Sequence, residues 1–230
     1  MVVKFLEIEM KRERHNTLWG FEDWLYDDGR VLIKKICADM RLSVQVHPND
    51  ETALTVGGRA KTEMWCVLKD GPIFAGFKPG VTDDDVVRAV ADGSFEDLLV
   101  RFDAKVGECY FIPGGLVHAI GEGVSVFEVQ QSSNTTFRLY DWGRVDVEGR
   151  PRKLHVEEAL AAMDSSLPPP VPGNSVDCAY FGFSQHPTGD LPPSQAHRVV
   201  YDPASDALIE LVPDVAAHFD NAVFVVTLPY

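Results

Sequence analysis

The sequence predicts a mainly β fold: an antiparallel barrel with a small helical insertion, followed across a proline-rich stretch by a partial second β unit. Three observations carry this. Short runs rich in β-branched residues recur between Gly, Pro, Asn and Asp turns. Helix-like patterns are confined to a few short, capped stretches. And Leu42-Ser43-Val44-Gln45-Val46-His47 alternates as a strand does, with Leu42, Val44 and Val46 on one face and Ser43, Gln45 and His47 on the other. A carbonyl oxygen and an imidazole side by side on an inward face are costly unless something satisfies them. A metal ion would.

In order, residues 2–8 read as a strand, and the stretch around Trp19-Gly20 and Trp24 as polar and turn-prone. Residues 31–38 form a strand leading into the alternating stretch, and 61–68 form the next. There Lys61, Glu63 and Trp65 share one face and Met64, Cys66 and Leu68 the other. Gly71-Pro72 turns the chain. Thr82 caps a helix with three aspartates in its first turn, and Gly93 stops it. Ser94 caps a second short helix over 95–102, so that 82–102 is a helical insertion. Strands resume at 108–112, 117–120, 124–131 and 136–141, with a turn at 146–149 and a short helix at 156–163. Prolines at 168–170 and 172 make 165–173 a stiff crossing. The remainder, 174–230, holds strands at 176–184, 198–201, 208–212 and 222–228. The division is thus a barrel over 1–164, the crossing, and a partial β unit over 174–230.

Composition narrows the function classes. Lys plus Arg number 21 against 35 Asp plus Glu, a net charge of −14. This disfavours a general nucleic-acid surface, which needs positive charge. It leaves room for a phosphorylated substrate held by a few local cations. No apolar run reaches the ~20 residues of a membrane span, and the first residues lack a secretory pattern. The four cysteines are scattered without a Cys-x-x-Cys, which predicts reduced thiols in a cytoplasmic protein. The acidic surface suits a monomer or small homo-oligomer.

The stretch Gly107-Glu108-Cys109-Tyr110-Phe111-Ile112-Pro113-Gly114-Gly115-Leu116-Val117-His118 has glycine, proline, glycine and histidine at the spacing of the second motif of the cupin barrels. Its Pro-Gly-Gly turn folds two strands together and delivers His118 inward. Together with Gln45-Val46-His47-Pro48-Asn49-Asp50, Lys61-Thr62-Glu63-Met64-Trp65 and Asn134-Thr135-Thr136-Phe137-Arg138-Leu139-Tyr140-Asp141, it resembles the type I mannose-6-phosphate isomerases, block by block and in order, over about 31–163. The resemblance implies a cupin, jelly-roll-like barrel with one zinc held by Gln45, His47, Glu63 and His118. Two imidazoles, a carboxylate and an amide oxygen suit Zn²⁺ and accept other divalent first-row metals. The resemblance also places Arg138 and Lys61 at the active site, on a small-molecule sugar phosphate. The inward parity of Glu128 makes it a candidate base for proton transfer; its alternative is a carboxylate bonded to a neighbouring cation. Asp141 is a partner for Arg138 or Arg144, and Trp65 and Tyr140 are walls.

The expected reaction is interconversion of mannose 6-phosphate and fructose 6-phosphate through an enediol. Relatives of this type carry a longer segment before the Gln-x-His strand and a full second barrel, for which 174–230 is too short. Two alternatives follow: an isomerase for another sugar or sugar phosphate, and a metal-containing sugar-binding cupin without turnover. A metal-dependent oxygenase is a weaker third, because fold alone does not fix chemistry.

Overall fold

The computed structural model describes residues 12–145 and 148–229. The strand expected at 2–8 lies outside them, as does half of the turn at 146–149. Strands β1 (Glu13–Thr17) and β2 (Gly20–Asp27) pair as a hairpin where the sequence suggested only turns. Gly20 makes it possible: at φ +145° a Cβ would stand 2.1 Å from the Cys37 carbonyl oxygen. β3 (Val31–Ala38) falls where expected, and β4 (Val44–Val46) is shorter than the alternation implied. Val44 and Val46 pack outward, but Leu42 precedes the strand and packs on the inner side, so the apolar face read for it was wrong.

Helix α1 (Asp50–Val56) was not anticipated. Asn49 starts it by accepting from the Thr52 amide at 2.8 Å, while the Thr52 hydroxyl accepts from the Asn49 amide at 3.0 Å. β5 (Glu63–Lys69) runs into β6 (Gly71–Phe77), so Gly71-Pro72 opens a strand. Helix α2 (Asp83–Asp92) has the expected Thr82 cap and left-handed Gly93 stop. The second helix does not extend to 102. It is one 3₁₀ turn, Phe95–Leu98, after which β7 (Leu99–Ala104) pairs with β6. Strand pairing overrides the local pattern there. β8 (Cys109–Ile112), β9 (His118–Ile120), β10 (Ser125–Gln131), β11 (Phe137–Tyr140) and α3 (Val156–Ala162) follow.

After the crossing, the strand read over 176–184 is a hairpin, β12 (Ser175–Asp177) with β13 (Gly182–His186). β14 (Gly189–Leu191) and β17 (Ala217–Phe219), both unforeseen, pair with each other on either side of β15 (Arg198–Asp202) and β16 (Ala207–Leu211) in the chain. β18 (Val223–Thr227) completes the set.

All the pairings among the described residues are antiparallel. The order β1-β2-β3-β10-β5-β8 makes one sheet of the barrel and β11-β4-β9-β6-β7 the other. Between them, away from the polar site, lies a core of Ile36, Val67, Ile73, Ile112 and Ile120. Helix α2, the 3₁₀ turn and helix α3 cover the outer face of the second sheet through Val86, Phe95 and Ala159 respectively. The C-terminal sheet, β12-β13-β18-β15-β16, covers the outer face of the first. Phe127 of β10 stacks on Tyr201 with ring centres 4.6 Å apart and touches Phe224.

One sequence expectation is overturned here. Cys66 and Cys109 are directly opposed across β5 and β8, with Cα atoms 4.1 Å apart, and form a disulfide. Opposed antiparallel positions bring two Cβ atoms within bonding reach, which spacing along the chain does not reveal. Cys37 and Cys178 are free thiols.

Candidate metal centre

The two barrel sheets meet at a polar cluster inside the apolar core. The second sheet contributes a cross-strand row: Gln45 on β4 is paired with His118 on β9 and with Arg138 on β11. The first sheet contributes another, in which Glu128 on β10 faces Lys34 on one side and Trp65 on the other. Glu63 lies two residues before Trp65 on the same face. His47 and Lys61 enter from just beyond β4 and just before β5.

The Pro113-Gly114-Gly115 turn explains how His118 reaches His47. The Gly115 amide donates to the His47 carbonyl at 2.8 Å. A Cβ on Gly114 would stand 2.8 Å from the Pro48 carbonyl oxygen, and Gly115 has φ +96°. Two glycines are what let this turn lie on the His47-Pro48 backbone.

His47, Glu63 and His118 are each about 1% exposed, and one ligand atom from each lies within 4.8 Å of the others. Their protonation follows from the hydrogen bonds. Nδ1 of His47 sits 2.8 Å from the Thr135 carbonyl and Nδ1 of His118 2.8 Å from the Leu116 carbonyl. A carbonyl only accepts, so each Nδ1 donates and each Nε2 presents a lone pair. Both lone pairs face Glu63, at 3.2 Å for His47 and 3.8 Å for His118. Burial, followed by the Lys61 charge, pushes the His47 imidazole down to about 3, and burial lowers His118 as well, so neither supplies a proton near neutrality. Burial opposes the charge on Glu63, but Lys61 at 2.6 Å holds its carboxyl well below the usual range.

Lys61 Nζ also donates to the His47 Nε2 lone pair at 3.2 Å, so one ammonium serves both the imidazole and the carboxylate. Glu63 Oε1 has no aligned hydrogen-bond donor; its contact with Lys61 is an ion pair without hydrogen-bond geometry. Two imidazole lone pairs and a carboxylate converge with each Nδ1 already committed to a carbonyl. That is the arrangement of a metal ligand set with its outer hydrogen bonds in place, and it fits a divalent cation. Gln45 Nε2 lies 3.4 Å from His118 Nε2. Turning the amide over presents its oxygen to the same point, so the chemistry of Gln45 also suits a ligand.

Around the cluster runs a chain of charges and indoles. Trp24 Nε1 donates to Glu22 at 2.9 Å; Lys34 Nζ lies 3.2 Å from Glu22 and 2.9 Å from Glu128 Oε1. Trp65 Nε1 donates to Glu128 Oε2 at 2.8 Å and to Glu63 Oε2 at 3.0 Å. Burial, followed by the Glu63 charge, raises the Glu128 carboxyl. Burial opposes the Lys34 ammonium, but Glu128 and Glu22 hold it above its ordinary value. Glu128 is thus both an inward carboxylate and the partner of a cation.

Gln45, Lys61, Trp65, Glu128 and Arg138 line a cavity of about 270 Å³. Its mouth is cationic. Arg138 donates to the Lys153 carbonyl at 2.8 Å, and its Nε is buried without a partner. Arg152, which the sequence reading missed, also lines the cavity; its Nε donates to Asp141 at 2.7 Å. Asp141 pairs with Arg144 and Arg152, not with Arg138. Tyr140 does not wall the cavity. The register shifts between Arg138 and Tyr140, and Tyr140 turns outward to stack on Phe95 and donate to the Gly93 carbonyl. Lys34 was also missed; its signal was parity, since Lys34 and Ile36 share the inward face of β3.

No family model matches the chain. It is 40% identical over 158 residues to mannose-6-phosphate isomerase ManA of Bacillus subtilis, a match covering 66% of this chain and 49% of that protein. It is 36% identical over 141 residues to mannose-6-phosphate isomerase of Streptococcus mutans, covering 60% and 45%. The chain therefore spans about half the length of the curated relatives it matches. Among solved structures, a mannose 6-phosphate isomerase from Bacillus subtilis superposes with a TM-score of 0.75 at 20% identity, covering 94% of this chain and 98% of that one. A zinc-bound mannose 6-phosphate isomerase superposes with a TM-score of 0.60 at 14% identity, covering 88% and 79%. The chain is a homologue of the mannose-6-phosphate isomerases over the matched residues and shares their cupin fold.

Proposed function

We propose that this chain is a metal-dependent aldose–ketose isomerase that interconverts mannose 6-phosphate and fructose 6-phosphate through an enediol. The supporting observation is that the buried His47–Glu63–His118 cluster touches Gln45, Lys61 and Trp65, which line one small cavity together with Glu128 and Arg138. His47, Glu63, His118 and Gln45 would hold the ion, with zinc the metal this N/O donor set suits. When bound, such a cation supplies Lewis-acid polarisation of the sugar's carbonyl and hydroxyl oxygens.

The chain's own residues divide the remaining work. Arg138 and Arg152 meet the phosphate at the mouth, where planar guanidinium donors match phosphate oxygens. Lys61 Nζ, fixed 2.6 Å from Glu63, stands beside the ligand atoms and donates to sugar oxygens on which enediolate charge develops. Glu128 moves the proton between the two sugar carbons. Its carboxylate is fixed by Lys34 and Trp65 on the cavity wall, and its raised affinity for a proton suits that exchange.

The experiment is turnover of mannose 6-phosphate by zinc-loaded protein in deuterated solvent, beside a panel of other sugars, with His118→Ala as control. Interconversion that incorporates solvent deuterium and vanishes in the control supports the reading. Stoichiometric zinc with no turnover of mannose 6-phosphate refutes it. In that case turnover of another sugar favours the altered-sugar isomerase, and binding alone favours the silent cupin.

A further inference from the structure

A broad cleft lies on the far side of the sheet that carries Lys34 and Glu128. Its volume is about 970 Å³, within the range of small-molecule sites. Lys34 and Glu128 face the metal cluster, so their neighbours on β3 and β10 point the other way. Lys35 and Ser125 line this cleft from the barrel, and Tyr201, Val223 and Phe224 line it from the C-terminal sheet. The walls are mostly apolar.

The charge of the lining is the informative feature. The chain carries a net charge of −14, yet no Asp or Glu is among the described residues lining the cleft, while Lys35 and Lys69 are. Lys69 is exposed and has no ion-pair partner among the described residues. Lys35 reaches Asp206, behind the wall, at the long distance of 3.4 Å. His186 also lines the cleft, and its Nε2 is buried with no hydrogen-bond partner. Buried polar atoms are almost always paired, so an unpaired imidazole nitrogen in a cleft whose charged lining residues are two lysines marks a place for a polar head. The apolar walls mark a place for a body.

We propose that this cleft binds an amphipathic anion, a small molecule with an apolar body seated against Leu68, Val106 and Phe224 and an acidic head reached by Lys69, Lys35 and His186. The proposal is independent of the isomerase reading, because no cleft residue belongs to the metal cluster. An acidic head of this kind forms charge-assisted hydrogen bonds with the ammonium groups. Leu68 and the exposed Val106 and Pro187 give the body its contact area.

The test is a fluorescence titration of the whole chain with anilinonaphthalenesulfonate, an apolar anion, beside its neutral analogue phenylnaphthylamine. The expected result is one saturable site that prefers the anion. Lys69→Glu should weaken the anion about tenfold, the equivalent of about 1.4 kcal/mol, without moving the thermal midpoint. Ala222→Trp places an indole in the cleft from an exposed position and should abolish the site. Equal affinity for the neutral probe, an unchanged affinity in Lys69→Glu, or binding that survives Ala222→Trp overturns the proposal. So does binding seen only when residues 1–11 are removed. Arg12 pairs with Asp206 at 2.8 Å beside this cleft, and that result would assign the cleft to the chain's own first residues.

Discussion

Lys34→Met tests the buried charge network most directly. The lysine is 6% exposed, and its ammonium lies between Glu128 Oε1 at 2.9 Å and Glu22 Oε2 at 3.2 Å. Methionine keeps most of the packing and removes the only cation touching Glu128 among the described residues. Breaking a buried pair from one side costs about 3–5 kcal/mol, because the partner charge is left uncompensated. Glu128 can escape part of that cost by taking a proton, since burial and Glu63 already raise its carboxyl and the loss of Lys34 raises it further. The sign follows from linkage. A carboxyl raised in the folded state binds more protons there than in the unfolded chain. The stability this gives is fully present below the unfolded value and is lost as pH climbs through the folded one. The penalty of Lys34→Met should therefore be smallest near pH 4 and largest above neutrality. At about 3 kcal/mol and about 2–4 °C per kcal/mol for a chain of this size, the melting point at pH 8 should fall by about 6–12 °C. Metal-free protein melted by circular dichroism across the pH range reads this out. Lys34→Met/Glu128→Gln should recover most of the loss at high pH. A penalty that grows towards acid, or a double variant no better than the single at pH 8, would refute the reasoning.

Four further outcomes follow. Zinc at about a thousand times its dissociation constant should stabilise the wild type by about 4 kcal/mol, and Glu63→Gln should remove both the shift and the bound metal measured by atomic absorption. Arg152→Met should raise KM for mannose 6-phosphate about tenfold through one lost charge-assisted contact, with zinc content unchanged; an unaltered KM would take Arg152 out of phosphate binding. Phe127→Ala should cost about 3–5 kcal/mol in denaturant melts, because it empties the contact between the barrel and the Tyr201–Phe224 wall. Denatured, unreduced protein should titrate only two thiols with a chromogenic disulfide reagent. Reduction should destabilise it by about 4 kcal/mol, as closing a loop of 43 residues implies in the chain-entropy model; four free thiols and no shift would contradict the Cys66–Cys109 bond.

The sequence by itself determined the mainly β class, the barrel strands β3 to β5 and β8 to β11, and the inward direction of the cluster. The reason is local. In a half-buried strand each side chain's face follows from parity, so Gln45, Glu63, His118 and Glu128 could be aimed before any contact was known. The Pro113-Gly114-Gly115 turn and the Thr82 and Gly93 helix signals are equally local, since each answers a backbone need within a few residues. Parity failed where the strand was irregular: Leu42 lies before β4 begins, and a register shift turns Tyr140 outward. The helix expected through Phe102 lost to pairing with β6, a partner far along the chain. The tertiary structure alone decided which inward groups meet. That His47 and His118 present lone pairs follows from carbonyls at Thr135 and Leu116. That Cys66 meets Cys109 follows from strand register, and that Arg152 rather than Arg138 holds Asp141 follows from the path of a loop. These are distances between residues remote in sequence, fixed by how two sheets close on each other, and no pattern of spacing along one strand contains them.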